Sequence, residues 1–177
     1  HSPDSAPVVA YALFAHCFTC TKSINAAVNI SNTLAQYGIA TLRFDFTGLG
    51  ASKGSFKESN FSTNIDDLVD AAEFLKTEYQ APQLLVGHSL GGTAILAAAK
   101  YIDSAKAVAS IGSPSNPEHI LHLLGEHLNK LEQDGSADVK LAGRAFTFKQ
   151  EFVENVRGYE TDYRLLRKAL MVMHSPV

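Results

Sequence analysis

The pentapeptide Gly87-His88-Ser89-Leu90-Gly91 matches Gly-x-Ser-x-Gly and lies between a short apolar run, Leu84-Leu85-Val86, and a stretch of small residues that reads as a helix. A serine hydroxyl is a poor nucleophile at neutral pH, so chemistry at Ser89 requires access to a base and a sharp, strained turn. Gly87 and Gly91 leave room for such a turn. The helix starting after Ser89 directs its free amides and positive dipole end toward the turn, which places the Leu90 N–H to receive an oxyanion formed in acyl transfer. The same glycines would also serve a purely structural strand-to-helix turn holding an incidental serine. The flanking strand and helix favour the nucleophile.

A second cluster, Cys17-Phe18-Thr19-Cys20, is a Cys-x-x-Cys placed after a strand and before a helix. That is where a redox dithiol sits, because the helix dipole lowers the pKa of the first thiol. Dithiol chemistry is therefore the rival function, although it leaves the Ser89 turn unexplained. Zinc is disfavoured, since no second ligand pair has suitable spacing. Among the seven histidines, His88 immediately precedes Ser89 and should point away from the serine, packing or hydrogen-bonding the turn. His119, His122 and Glu126 could share a helix face as a metal trio, but that spacing equally describes a solvated face, and no metal is expected. His1 and His127 carry no signal. Gly48, Gly50 and Gly54 miss the Gly-x-Gly-x-x-Gly spacing by one residue. They read as a turn in which Asp45 accepts backbone amides and Ser52 helps closure.

Apolar β-favouring runs alternate with amphipathic segments, the pattern of a parallel sheet with helices on both faces. Strands are expected at Val8 to Ala15, Ile39 to Phe44, Gln83 to Gly87, Ala107 to Gly112 and Ala169 to Met173. A helix marked by Ile24, Ala27, Val28, Leu34 and Ala35 joins the first two and stops at Gly38. Ile65, Leu68, Val69, Ala72 and Leu75 mark another, with Thr63 and Asp66 resembling its capping box. Small residues from Gly91 to Tyr101 form the helix after Ser89. The rhythm breaks between about 113 and 167, where a helix from Glu118 to Leu131 precedes a hairpin around Gly143. An insertion there, at the carboxyl edge of a parallel sheet, reads as a cap over the site or as a surface excursion.

The 177 residues, 46% hydrophobic and 19% charged, suit one globular domain. With 15 basic against 18 acidic side chains and a net charge of −3, there is no electrostatic footing for nucleic acid. The longest apolar run, Pro7 to Ala15, is too short for a membrane span and lacks signal-peptide flanks, so a cytoplasmic protein is expected.

Three motifs in order carry a resemblance. The Ser89 turn, the loop His16-Cys17-Phe18-Thr19 and the turn Asp45-Phe46-Thr47-Gly48-Leu49-Gly50-Ala51-Ser52 together resemble the α/β-hydrolase superfamily. Ala15 to Cys20 with Arg43 to Gly50 is more narrowly similar to hydrolases fused to an OsmC-like peroxide-reducing domain, which makes such a domain a possible fused or associated partner. The resemblance implies a mostly parallel α/β-hydrolase fold with a small cap, and Phe18 as the second oxyanion donor beside Leu90. It implies a supporting role for His16, with Gly87, Gly91, His88 and Asp45 around it. The superfamily order is serine, acid, histidine. The acid is expected just after the last strand, where His174-Ser175-Pro176-Val177 resembles its lead-in, and the histidine later still, so truncation at the C-terminus is expected. Glu118 is a lesser alternative acid. The resulting expectation is a cofactor-free serine hydrolase of small acyl esters, with the Cys17/Cys20 redox protein and a noncatalytic binding domain as alternatives. Oligomeric state and substrate are not legible. Phe146, Phe148 and Phe152 suggest an apolar acyl group or an anchor for the cap.

Overall fold

A computed structural model describes residues 1–3, 7–164 and 166–175 of the chain. Leu165 of the 113–167 stretch, and Pro176 and Val177 of the expected acid lead-in, lie outside the described residues.

The apolar runs become strands β1 (Ala10–Ala15), β2 (Ile39–Arg43), β3 (Leu84–His88), β4 (Ala107–Ile111) and β7 (Ala169–Met173). They form a sheet of order β2-β1-β3-β4-β7, parallel in every pairing. Its centre is buried on both sides, which is why β1 and β3 read as continuous apolar runs rather than alternating ones.

One face is covered by α1 (Asn25–Gln36), whose Ala27 packs near Phe14, Val86 and Ala109. The other carries α2 (Phe61–Glu78) and α3 (Leu90–Ala98). α3 is buried nearly all round, and its glycines and alanines let it sit close to the sheet. α2 buries Phe61, Ile65, Leu68, Ala72 and Leu75 along one stripe; full burial of a side chain such as Leu68 stabilises by about 1.5–3 kcal/mol. Its capping box differs from the sequence expectation. Asn60 is the N-cap and accepts from the Thr63 amide at 3.0 Å, while Thr63 Oγ1 accepts from the Asn60 amide at 2.8 Å. Thr63 thus closes a box that begins three residues earlier than expected, and the helix gains a full turn containing Phe61, fully buried at 0% exposure.

The 113–167 stretch also departs from expectation. Instead of one helix from Glu118 to Leu131, a 3₁₀ helix (Pro117–Leu123) and α4 (His127–Asp134) flank Gly125, whose φ of +48° is incompatible with a continuing α-helix. β5 (Ser136–Leu141) and β6 (Arg144–Lys149) form the hairpin, turning at Ala142-Gly143 with both φ values positive, the geometry that matches strand twist. α5 (Gln150–Gly158) then follows without having been anticipated. Phe146, Phe148, Phe152, Val153 and Val156 join the main core cluster rather than a separate one.

Candidate active site

Strand β3 delivers Ser89 to the start of α3 with φ +55° and ψ −131°, a left-handed conformation that a residue with a Cβ adopts only when its surroundings enforce it. The enforcement is visible. The Ser89 amide donates to the Ile111 carbonyl at the end of β4 (2.9 Å), and the Ser89 carbonyl accepts from the Gly92 amide (2.8 Å). A Cβ on Gly87 would lie 2.5 Å from the Gly91 carbonyl oxygen and the Gly92 Cα. A Cβ on Gly91 would collide with the backbone carbonyls of His16 and Ala15. The first turn of α3 therefore lies directly against the backbone entering the Cys17–Cys20 loop, and both glycines are steric requirements of that approach.

Neither Phe18 nor Leu90 donates its amide to a partner among the described residues. Leu90 N–H stands at the N-terminus of a nine-residue helix, where the dipole favours negative charge. Cys17, Phe18, Leu90 and Gly91 line one small, largely apolar cavity together. The loop and the turn thus share one space.

His16 is 1% exposed and braces this loop. Its Nδ1–H donates to the Cys17 carbonyl (2.8 Å), while Nε2 accepts from the Phe46 amide (3.3 Å), which fixes the tautomer and joins the loop to the turn after β2. Burial lowers its pKa, with the flanking Arg144 and Lys22 charges adding to that and the Cys17 bond and Asp45 opposing it. A neutral, doubly bonded ring of this kind is a strut. The Asp45 carboxylate accepts from the Lys22 amide (2.6 Å), the Ala51 amide (2.9 Å) and the Lys22 ammonium (3.0 Å). Burial pushes its pKa up, yet those donors outweigh it and hold the carboxyl below the usual range. Ser52 Oγ–H donates to the Asp45 carbonyl at 2.5 Å, and Gly50 (φ +51°) runs so close to the carboxylate that no side chain fits there.

Ser89 and Leu90 also line an open cavity of about 1160 Å³ with Ser113, Ile120, Leu128, Arg157 and His174 among its walls. His119 and His122 edge the same cavity with ring centroids 5.2 Å apart. Glu126 stands beyond Gly125 as the N-cap position of α4, so the helix face that would have united the trio is interrupted. Among the described residues no three His, Cys, Asp or Glu side chains converge as a metal site. His88 turns its Nδ1 into the interior, where it has no hydrogen-bond partner among the described residues. Glu118 lies in the first turn of the 3₁₀ helix, its amide bound by the Asn116 side chain (2.8 Å).

Phe146 and Phe148 do not wall the cavity beside Ser89; the ring of Phe18 packs 5.9 Å from Phe148 and 5.7 Å from Phe152. The Phe148 and Phe152 rings anchor the 113–167 segment to the loop. Arg144 adds a polar tie by donating to the Thr19 carbonyl, its guanidinium 5.2 Å from the Phe146 ring. Lys22 and Arg144 were invisible to motif reading, because each acts through a fold-dependent contact with no fixed spacing. Cys17 and Cys20 are joined in a disulfide rather than held as thiols.

Residues 13–172 match the serine aminopeptidase S33 family. The esterase domain of a Rhodothermus marinus protein is 42% identical and superposes with a TM-score of 0.68 over 99% of this chain and 68% of its own. Est1E from Butyrivibrio proteoclasticus, solved with ferulic acid bound, is 23% identical with a TM-score of 0.82, covering 98% of this chain and 72% of its own. The human mitochondrial palmitoyl-protein thioesterase ABHD10 is 29% identical over 85% of this chain. The chain spans 47% of the length of that curated relative.

Proposed function

Because the chain belongs to the serine aminopeptidase S33 family, within the α/β-hydrolase fold, we propose that it is the nucleophile-bearing part of a serine hydrolase acting on ester bonds. The observation carrying this reading is the strained Ser89 at the start of α3, a helix whose Gly91 lies against the His16 backbone. In the proposed reaction Ser89 Oγ attacks the acyl carbon, and the amides of Phe18 and Leu90 receive the oxyanion. The serine proton passes to a base and then to the departing alcohol. Water, deprotonated by the same base, releases the acyl group and restores the hydroxyl. His16, committed to two structural bonds, and His88, whose Nδ1 faces the interior, are not assigned as that base.

The test uses the full-length protein. Hydrolysis of p-nitrophenyl acetate and of a matched acyl thioester should both depend on Ser89, as should labelling by a fluorophosphonate. Undiminished turnover and labelling in Ser89→Ala would remove the proposal.

A further inference from the structure

The Cys17–Cys20 disulfide, Cα atoms 5.3 Å apart, closes a small ring around Phe18 and Thr19. We propose that it is a reversible modification site, opened by dithiol reductants, whose bonded form holds the Phe18 amide in the position that receives the oxyanion. The catalytic half of this inference rests on the Ser89 reading above; the structural half does not.

Within the ring one backbone hydrogen bond spans the two cysteines. The Cys20 amide donates to the Cys17 carbonyl (3.1 Å), and Thr19 holds φ +57°, a left-handed conformation unfavourable for a β-branched residue. Thr19 is 7% exposed, and the Arg144 bond to its carbonyl comes from the cap. Covalent closure adds to these bonds the restraint that keeps the Phe18–Thr19 span from relaxing toward an extended path. Outside the ring, both ends are fixed independently. His16 grips the Cys17 carbonyl, and Asp45 grips the Lys22 amide two residues beyond Cys20. Opening the bond therefore frees two residues without releasing β1 or α1. Both cysteines are only partly buried, so a thiolate can approach.

In the exchange, a reductant thiolate attacks one sulfur and forms a mixed disulfide, and its second thiol displaces the remaining protein sulfur. The protein gains two electrons and two protons as two thiols, and the dithiol leaves as its cyclic disulfide.

The experiment treats full-length protein with dithiothreitol, counts thiols by alkylation and mass spectrometry, and measures p-nitrophenyl acetate turnover and amide hydrogen exchange across residues 16–20. Reduction should expose two thiols, speed exchange at Phe18 and Thr19, and lower kcat about tenfold with KM little changed, a fraction of what deleting an oxyanion donor costs. Oxidised glutathione should restore all three, and Cys17→Ser/Cys20→Ser should show the low kcat with or without reductant. Two thiols released with kcat and exchange both unchanged, or a pair that resists reduction in the folded protein, overturns the proposal. If Ser89→Ala shows that Ser89 is not the nucleophile, exchange at Phe18 and Thr19 still decides whether the disulfide holds the loop. Unchanged exchange then defeats this inference on its own account.

Discussion

The guanidinium of Arg144 donates a hydrogen bond to the backbone carbonyl of Thr19, reaching from the first residue of β6 to a loop 125 positions earlier. The 113–167 segment is thereby tied to the loop that carries the Phe18 amide, in addition to the contacts of Phe148 and Phe152 with the Phe18 ring. A further pair of bonds fixes the cap to α2, where the Asn155 side chain accepts from the Ser62 amide (3.1 Å) and donates to the Ser62 hydroxyl (2.9 Å). Cap placement and loop geometry are consequently one mechanical problem.

Arg144→Ala should lower kcat for ester substrates about threefold to tenfold, since a charge-assisted bond contributes about 1.5–3 kcal/mol when protected from solvent and less here, where Arg144 is exposed. KM should move little, and Arg144→Lys should recover part of the loss. Steady-state kinetics on the full-length protein checks this; unchanged kcat would mean the bond positions nothing.

Gly91→Ala should destabilise by about 1–3 kcal/mol, because the added methyl meets the backbone carbonyls of Ala15 and His16 rather than a movable side chain. Fluorophosphonate labelling of the remaining folded protein should slow as well. Urea denaturation and labelling rates read the two effects separately, and wild-type behaviour in both would contradict the close approach of α3 to the loop.

Asn60→Ala should cost about 1 kcal/mol, the usual penalty for losing an N-cap, which in a domain of this size is about 2–4 °C in Tm. Asn60 closes the start of α2 by its bond to the Thr63 amide and lines neither cavity that Leu90 borders, so labelling should persist. Calorimetry that finds no shift would show that the capping box contributes nothing measurable.

Stability should fall in two stages on acidification. The folded-state pKa of His16 is lowered by burial, so below its unfolded value of about 6.5 the unfolded chain binds a proton that the folded one refuses. Tm should therefore drop as pH goes from about 7 toward 5, and His16→Gln should flatten that portion. Asp45 acts lower down: its folded pKa is depressed by Lys22 and the Ala51 amide against the opposing effect of burial. Its contribution is present above about pH 4 and lost as pH falls through the folded pKa. Thermal melts at closely spaced pH values would show whether the first stage depends on His16.

Features governed by local sequence were legible before any coordinates. The strand–serine–helix order around Ser89 and the parallel sheet follow from apolar runs and glycine placement, and both stand in the fold. Where one residue decides the path, the reading failed. Gly125 sits inside an otherwise helical apolar pattern, and only its positive φ shows that the chain breaks there. Asn60 and Thr63 are both good caps, and the burial of Phe61 selects the earlier one. α5 escaped notice because its buried Phe152, Val153 and Val156 span little more than one turn. Lys22, Arg144 and Asn155 make contacts across 23 residues or more, and nothing in their neighbours foretells such distances.

The φ of +55° at Ser89 also bears on heat tolerance. A side chain held there costs about 1–3 kcal/mol, a sizeable fraction of the 5–15 kcal/mol by which a domain stays folded. A glycine at this position would be at ease and should melt several degrees higher, at the cost of the hydroxyl on which the proposed reaction depends. The chain keeps the less comfortable residue, so its tolerance of heat is set below what its core alone would allow, and a search for hardier variants has to leave this one turn untouched.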